Sequence, residues 1–124
     1  MAGECILVVE DNEKSMKLFR DLLQTKGYST LEAGTGEAAL ELARLHIPAL
    51  VLMDVQLPGI DGIEALARLR QDTRTASIPV LALTAQAMHG DRERFLEAGF
   101  ADYLSKPVDV AELLRAVEQH SVRG

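Results

Sequence analysis

The sequence predicts a doubly wound α/β domain: a (βα)5 sandwich built on a five-stranded parallel sheet. Three observations carry this. Short apolar runs alternate with amphipathic segments five times within 124 residues. The runs at 5–9, 49–53 and 78–83 are almost wholly apolar, as strands are when helices cover both faces of their sheet. Start and stop residues fall between the runs, with Asn12 and Asp109 opening helical segments and Gly27 and Gly99 closing them.

In order, strand 1 is 5–9 and ends at the acid pair Glu10-Asp11. Asn12 caps helix 1, which runs to Lys26 with the stripe Leu18, Phe19, Leu22, Leu23 and with Met16 at its edge. Strand 2 is 28–33. Helix 2 follows Gly34-Thr35-Gly36 and ends before Pro48; Ala39, Leu40, Ala43 and Ile47 share a face that excludes Leu42 and Leu45. Strand 3 is 49–53 and delivers Asp54. Helix 3 (62–71) presents Ile63, Leu66, Ala67 and Leu69. Strand 4 is 79–83 and is followed by Thr84. Helix 4 (87–98) has a weak stripe and carries Gly90 near its start, which loosens a helix by about 1 kcal/mol. Strand 5 is 102–104, followed by Lys106-Pro107, and helix 5 (109–120) starts at Asp109.

Strict βα alternation implies right-handed crossovers and helices on both faces. The common open order for this count is 2-1-3-4-5, the flavodoxin-like arrangement. Ligands of such sheets bind beyond the carboxyl ends of the strands, where the order reverses between strands 1 and 3. Glu10, Asp11 and Asp54 follow those two strands, and Thr84 and Lys106 follow strands 4 and 5 at the same edge.

Composition narrows the functions. The length suits one domain, 1–124, and a formal charge of −6 with no Trp disfavours a nucleic-acid partner, which needs clustered Lys or Arg and stacking rings. The densest basic stretch, Arg92-Glu93-Arg94, is interrupted by an acid. No apolar stretch approaches the roughly 20 residues of a membrane span, and Met1-Ala2-Gly3-Glu4 lacks the basic start of a signal peptide, so a cytoplasmic location is expected. Cys5, alone of its kind, excludes an internal disulfide and a cysteine zinc cluster, and reads as an inert core thiol.

Three carboxylates at one sheet edge repel one another, by roughly 4 kcal/mol for a pair ~4 Å apart at an effective dielectric near 20. A hard divalent cation relieves this, and an all-oxygen set without His or Cys fits Mg²⁺, with Mn²⁺ as a substitute, rather than zinc. The histidines His46, His89 and His120 fall in helical segments away from that edge. An Asp beside such a cation can act as nucleophile on phosphorus. Lys106 then pairs with one phosphoryl oxygen and the Thr84 hydroxyl donates to another, and backbone N–H groups of Val55, Gln56 and Ala85 complete a cradle.

The chain resembles a two-component response-regulator receiver domain of the CheY-like superfamily along its whole length. The resemblance rests on 9–12 (Val-Glu-Asp-Asn), on 52–62 from Leu52 through Asp54 and Pro58 to Gly62, on Leu83-Thr84-Ala85, and on 101–107 with Tyr103 and Lys106-Pro107. It implies that Asp54 accepts a phosphoryl group from a histidine kinase or histidine phosphotransfer protein. It implies that Glu10, Asp11, Asp54 and the carbonyl of Gln56 arrange Mg²⁺, that Thr84 and Tyr103 are the switch pair, and that the Lys106-Pro107 bond is cis. Residues 16–19 and 85–92 resemble the stand-alone branch that regulates cell division, and 85–92 also resemble receivers carried by hybrid kinases. Glu10 stands where many receivers have Asp, one methylene shorter.

With no output domain expected after helix 5, the message passes through the receiver surface to a separate protein, and the chain is a monomer or weak homodimer. Ser15, Met16, Leu18 and Tyr103 are the residues expected to meet partners. An aspartate-nucleophile phosphatase is disfavoured because Gln56 stands where that class has a second Asp. A flavin carrier is disfavoured because Glu10-Asp11-Asn12 would repel the flavin phosphate. The nearer alternative is a receiver that drains phosphate or binds partners without it. The chain is not expected to be an enzyme beyond Mg²⁺-dependent self-phosphorylation and slow self-dephosphorylation.

Overall fold

The computed structural model describes residues 4–85 and 91–121. The elements run β1 (Cys5–Val9), α1 (Glu13–Thr25), β2 (Ser29–Ala33), α2 (Gly36–His46), β3 (Leu50–Asp54), α3 (Gly62–Gln71), β4 (Val80–Thr84), α4 (Asp91–Ala98), β5 (Asp102–Ser105) and α5 (Val110–His120). The strands form one parallel sheet in the order β2-β1-β3-β4-β5, as the alternation predicts.

Strand alternation divides the interior into two layers. Ile6, Val8, Leu50, Leu52, Leu81, Leu83 and Leu104 face α1 and α5, where Phe19, Leu23, Leu113 and Val117 meet them. Leu7, Val9, Val51, Met53, Val80 and Ala82 face α2, α3 and α4, where Ala39, Leu40, Leu66, Leu69 and Phe95 close the layer. β1, β3 and β4 have both faces covered, which is why their sequences are almost unbroken in apolar residues.

Four helices start on a side-chain acceptor. Asn12 Oδ1 accepts from the N–H groups of Lys14 (2.9 Å) and Ser15 (3.0 Å), Thr35 Oγ1 from Ala38, Asp61 Oδ1 from Glu64 and Asp109 Oδ1 from Glu112. Each cap contributes about 1 kcal/mol by satisfying an otherwise orphan donor. Arg70 braces the far end of the sheet by donating to the carbonyls of Ile78 (2.7 Å) and Gly99 (3.1 Å), while burial pushes its guanidinium below the ordinary arginine value.

Several helix faces differ from the sequence expectation. On α1 the buried residues are Met16, Phe19 and Leu23, while Leu18 is 49% exposed. The stripe is therefore turned by one residue, because the i, i+3, i+7 row through Met16 lies over the sheet. On α3 the inward row is Gly62, Ala65, Leu66 and Leu69, leaving Ile63 and Ala67 outside. Ile47 ends α2 in the left-handed region (φ 46°), which swings its side chain away from the Ala39–Ala43 face and exposes it. Cys5 is half-buried at the amino end of β1 rather than in the core, and burial raises its thiol pKa. β3 and β4 each run one residue further than expected, so Asp54 and Thr84 are strand residues. The start predicted for helix 4, with His89 and Gly90, lies outside the described residues, as does Gln86 to Met88 of the cell-division resemblance.

Candidate active site at the carboxyl edge

Register assembles the site. Val9 pairs with Met53, which sets Glu10 beside Asp54. Asp54 pairs with Leu83 and Thr84 with Ser105, so Thr84 and Lys106 each follow one step further along the same edge. The Lys106 N–H donates to the Thr84 carbonyl at 2.7 Å and fixes the backbone from which the lysine rises. The peptide bond between Lys106 and Pro107 is cis.

The loop after Asp54 is shaped by two glycines. Gly59 has φ +75°, a conformation that side chains disfavour. Gly62 donates to the Val55 carbonyl (2.9 Å), and a Cβ there would lie 2.5 Å from the Asp54 carbonyl oxygen. The loop thus closes directly against the strand that carries the acid.

Asp54 and Glu10 are both buried (4% and 2% exposed), whereas Asp11 is open to solvent. One oxygen from each of the three carboxylates lies within 4.8 Å of the others. Lys106 Nζ reaches into this cluster and donates to Glu10 Oε1 (2.7 Å) and Asp54 Oδ2 (2.8 Å). The second Asp54 oxygen accepts the Gln56 N–H at 2.9 Å, and the second Glu10 oxygen accepts the Asn12 N–H at 3.2 Å. Burial raises the Glu10 carboxyl pKa, and neighbouring Asp54 adds to this; the Lys106 ammonium and the Asn12 amide only partly offset them. Burial pulls the Lys106 ammonium down, but Asp54 and Glu10 outweigh it and its pKa is raised.

The set fits Mg²⁺ on its donor chemistry. All donors are hard oxygens, and a cation with ~2.1 Å bonds needs only a small contraction of the three carboxylates. Glu10, Asp11 and Asp54 leave two negative charges after Lys106 is counted, when all are ionised, and a divalent ion balances these.

Thr84 is buried (4% exposed) and shares its sheet face with Ala82, whose partner across the ladder is Tyr103. Tyr103 is half-buried and its ring lies 5.8 Å from that of Phe95 on α4. The sequence reading did not pick out Phe95. Among the described side chains of α4 it alone is buried, and the helix's weak periodicity hid it. The pairing of Glu10 with Lys106 also went unforeseen, since 96 residues separate them.

One cradle donor needs correcting. The Val55 N–H is taken by the Leu83 carbonyl at 2.9 Å, because the β3–β4 ladder continues past Asp54. Gln56 supplies the amide facing the carboxylate, and Ala85 sits exposed just beyond Thr84. Of the surface residues, Leu18 is exposed and Ser15 half-exposed, whereas Met16 is 8% exposed beneath them. His120 lies 3.5 Å from Asp102 at the opposite end of the sheet, and His46 is exposed on α2; neither approaches the site.

A doubly wound parallel sheet that gathers an acid triad, a buried hydroxyl and an amine at the carboxyl ends of β1, β3, β4 and β5 defines a phosphoryl-handling regulatory domain. The response regulator receiver domain model matches residues 6–118, and the chain belongs to that family. It is 45% identical over 115 residues to the polar-differentiation response regulators DivK of Brucella ovis and Brucella anthropi, covering 93% of this chain and 94% of theirs. Among solved structures it resembles the receiver domain of a sensor histidine kinase from Pseudomonas aeruginosa (TM-score 0.88, 38% identity, 96% of this chain and 98% of that one). That relative has a magnesium ion coordinated in its active-site cleft. The receiver domain of Francisella response regulator 1452 is similar as well (TM-score 0.88, 28% identity, 94% of this chain and 95% of that one). The chain is thus a receiver of two-component signalling, a family of regulators that work with histidine kinases and downstream targets and bind Mg²⁺ at an acidic site.

Proposed function

We propose that Asp54 is the phosphoacceptor of a phosphorelay and that the rest of the pocket serves its loading and readout. The carrying observation is the buried Asp54 carboxylate held between the Lys106 ammonium and the Gln56 amide, with Glu10 and Asp11 alongside. A carboxylate oxygen of Asp54 attacks the phosphorus of a phosphohistidine. The O–P bond forms as the P–N bond breaks, and the electron pair leaves on the imidazole nitrogen, which takes a proton. Glu10, Asp11, Asp54 and the Gln56 carbonyl would hold Mg²⁺, which supplies positive charge to the phosphoryl oxygens in flight. Lys106 stabilises one of those oxygens as a point cation, and Thr84 donates to another.

Readout runs through the face shared by Thr84 and Tyr103. A phosphoryl group adds roughly −1.5 to −2 charges at the edge. Thr84 turns toward it, the space it leaves on the sheet face takes the Tyr103 ring, and the surface around α4, β5 and α5 changes for a separate protein partner. Leu18 and Ser15 on α1 form the docking face for the phosphodonor, with Met16 packed beneath as its support. The partners we assign are a histidine kinase or phosphotransfer protein and a protein target, with neither nucleic acid nor membrane bound. The setting is the cytoplasm, where ATP-dependent kinases are loaded. The likeness to the polar-differentiation regulators supports a role in control of the cell cycle.

Incubation with acetyl phosphate and Mg²⁺ followed by intact mass tests the reading. Wild type gains roughly 80 Da, one phosphoryl group. A wild-type protein that gains nothing, with or without a phosphohistidine donor, overturns it.

A further inference from the structure

We propose that Gly36 and Ile60 form a seat, at the first turn of α2, that fixes the loop after Asp54 and through it the Gln56 backbone that attends the carboxylate. The inference rests on the phosphoacceptor reading above and adds to it a positioning role for two residues outside the set described so far. Gly36 is buried, and a Cβ there would lie 2.6 Å from Ile60 Cγ1, 3.0 Å from its Cδ1 and 3.2 Å from its carbonyl oxygen. Ile60 thus lies directly on the backbone of α2. The neighbouring residues meet as well: a Cβ on Gly59 would stand 3.0 Å from a carboxylate oxygen of Glu37.

Gln56 is exposed, yet its N–H meets Asp54 at 2.9 Å, so its place is set by the attachments of the loop rather than by burial of its own side chain. The Gly62 N–H closes the loop on the Val55 carbonyl, and Leu57 and Ile60 pack on the apolar layer beneath it. In the contact between loop and helix, α2 is the firmer side. Thr35 caps its start, and Ala39 and Leu40 are buried in the core, whereas Pro58 and Gly59 of the loop are exposed. A methyl at position 36 needs about 0.8 Å more room to reach ordinary contact with Ile60 at 3.4 Å, and the loop is the part that yields. Misplacement of a reacting group by about 1 Å can cost on the order of a hundredfold in rate. Alanine is the better helix former, so α2 itself tolerates the exchange.

Intact-mass time courses with acetyl phosphate and Mg²⁺, and the Gln56 amide resonance in isotope-labelled protein, test the seat in wild type, Gly36→Ala, Ile60→Ala and the double variant. Gly36→Ala is expected to load Asp54 about tenfold more slowly, with the Gln56 amide displaced. Ile60→Ala removes the atoms that press on Gly36 and is expected to slow loading about threefold, again with a displaced amide. In the double variant the new methyl on α2 takes up space that the isoleucine gave up. Loading then returns to within about twofold of wild type and the amide moves back, a coupling that independent sites do not show. Thermal melts confirm that each variant is folded. A pair that serves packing alone would alter the melting temperature and leave both readouts in place. A folded Gly36→Ala with a wild-type loading rate or an undisplaced Gln56 amide overturns the seat, as does a double variant no faster than Gly36→Ala. If Gly36→Ala does not fold, Ile60→Ala decides on the same two readouts. A wild-type protein that gains no phosphoryl group overturns the phosphoacceptor reading, and the Gln56 amide then decides the seat by itself.

Discussion

The two oxygens of Asp54 have different partners, and that division gives each a hydrogen bond in a buried site. One is held by the Gln56 amide and the other by Lys106, so burial is offset without filling the pocket. Asp54→Asn keeps the shape and removes the nucleophile proposed above. It is expected to show no phosphoryl gain in intact mass with acetyl phosphate and Mg²⁺, while its Mg²⁺ affinity falls through loss of one charged ligand. Asp72, on the other side of the molecule, shows a second kind of charged residue. The Arg74 side chain and N–H, with Arg44 nearby, hold its carboxyl at about 2 against an ordinary 3.8. A depressed acid contributes stability that is full above its ordinary value and lost as pH falls through the folded one. The difference in melting temperature between wild type and Asp72→Asn should therefore hold steady from neutral pH to about 4 and shrink toward pH 2.

Elements turn these residues into a device. The loop from Val55 to Asp61 returns to start α3 at Gly62, whose missing side chain lets the helix begin against the Asp54 backbone. Gly62→Ala would place its Cβ 2.5 Å from the Asp54 carbonyl oxygen and 2.8 Å from the Val55 Cα, both backbone atoms with little room to yield. Overpacking of this kind costs about 1–3 kcal/mol, read as a lower urea midpoint, and it should slow phosphorylation by shifting Asp54. In the proposed readout β5 is central, because Tyr103 stands next to Ala82 on the face that also bears Thr84 and leans on Phe95 of α4. In Tyr103→Ala the phosphorylated protein should bind its target no better than the unphosphorylated one, measured by calorimetry, with the mass gain of Asp54 intact.

At the scale of the whole molecule, two apolar layers clamp the sheet so that its carboxyl edge is a fixed frame for the pocket. Leu113 of α5 is fully buried in the core layer that holds Ile6, Leu52 and Leu81, and Leu113→Ala is expected to cost about 2–5 kcal/mol by denaturant titration, on the order of large-to-small core changes. Arg70 ties α3 to the carbonyls of Ile78 and Gly99, bracing the end of the sheet away from the pocket.

Much of this could be read from the chain because strands buried on both faces write themselves as apolar runs, and because parallel strands bring every run's end to one edge. Glu10, Asp11, Asp54, Thr84 and Lys106 were legible for that reason, as were the caps Asn12 and Asp109. Helix faces were less so. A periodic row specifies a stripe only to within a residue, and only packing decided that Met16 and Ala65 face inward while Leu18 and Ile63 do not. Register likewise decided that the Val55 amide belongs to the ladder, and side-chain reach across 96 residues decided that Lys106 meets Glu10. The sequence by itself determined which groups stand at the edge, since their order along the chain is their order among the strands. Tertiary structure alone decided which of them touch, because contacts of about 3 Å depend on stagger and rotamer, which no spacing in the sequence records.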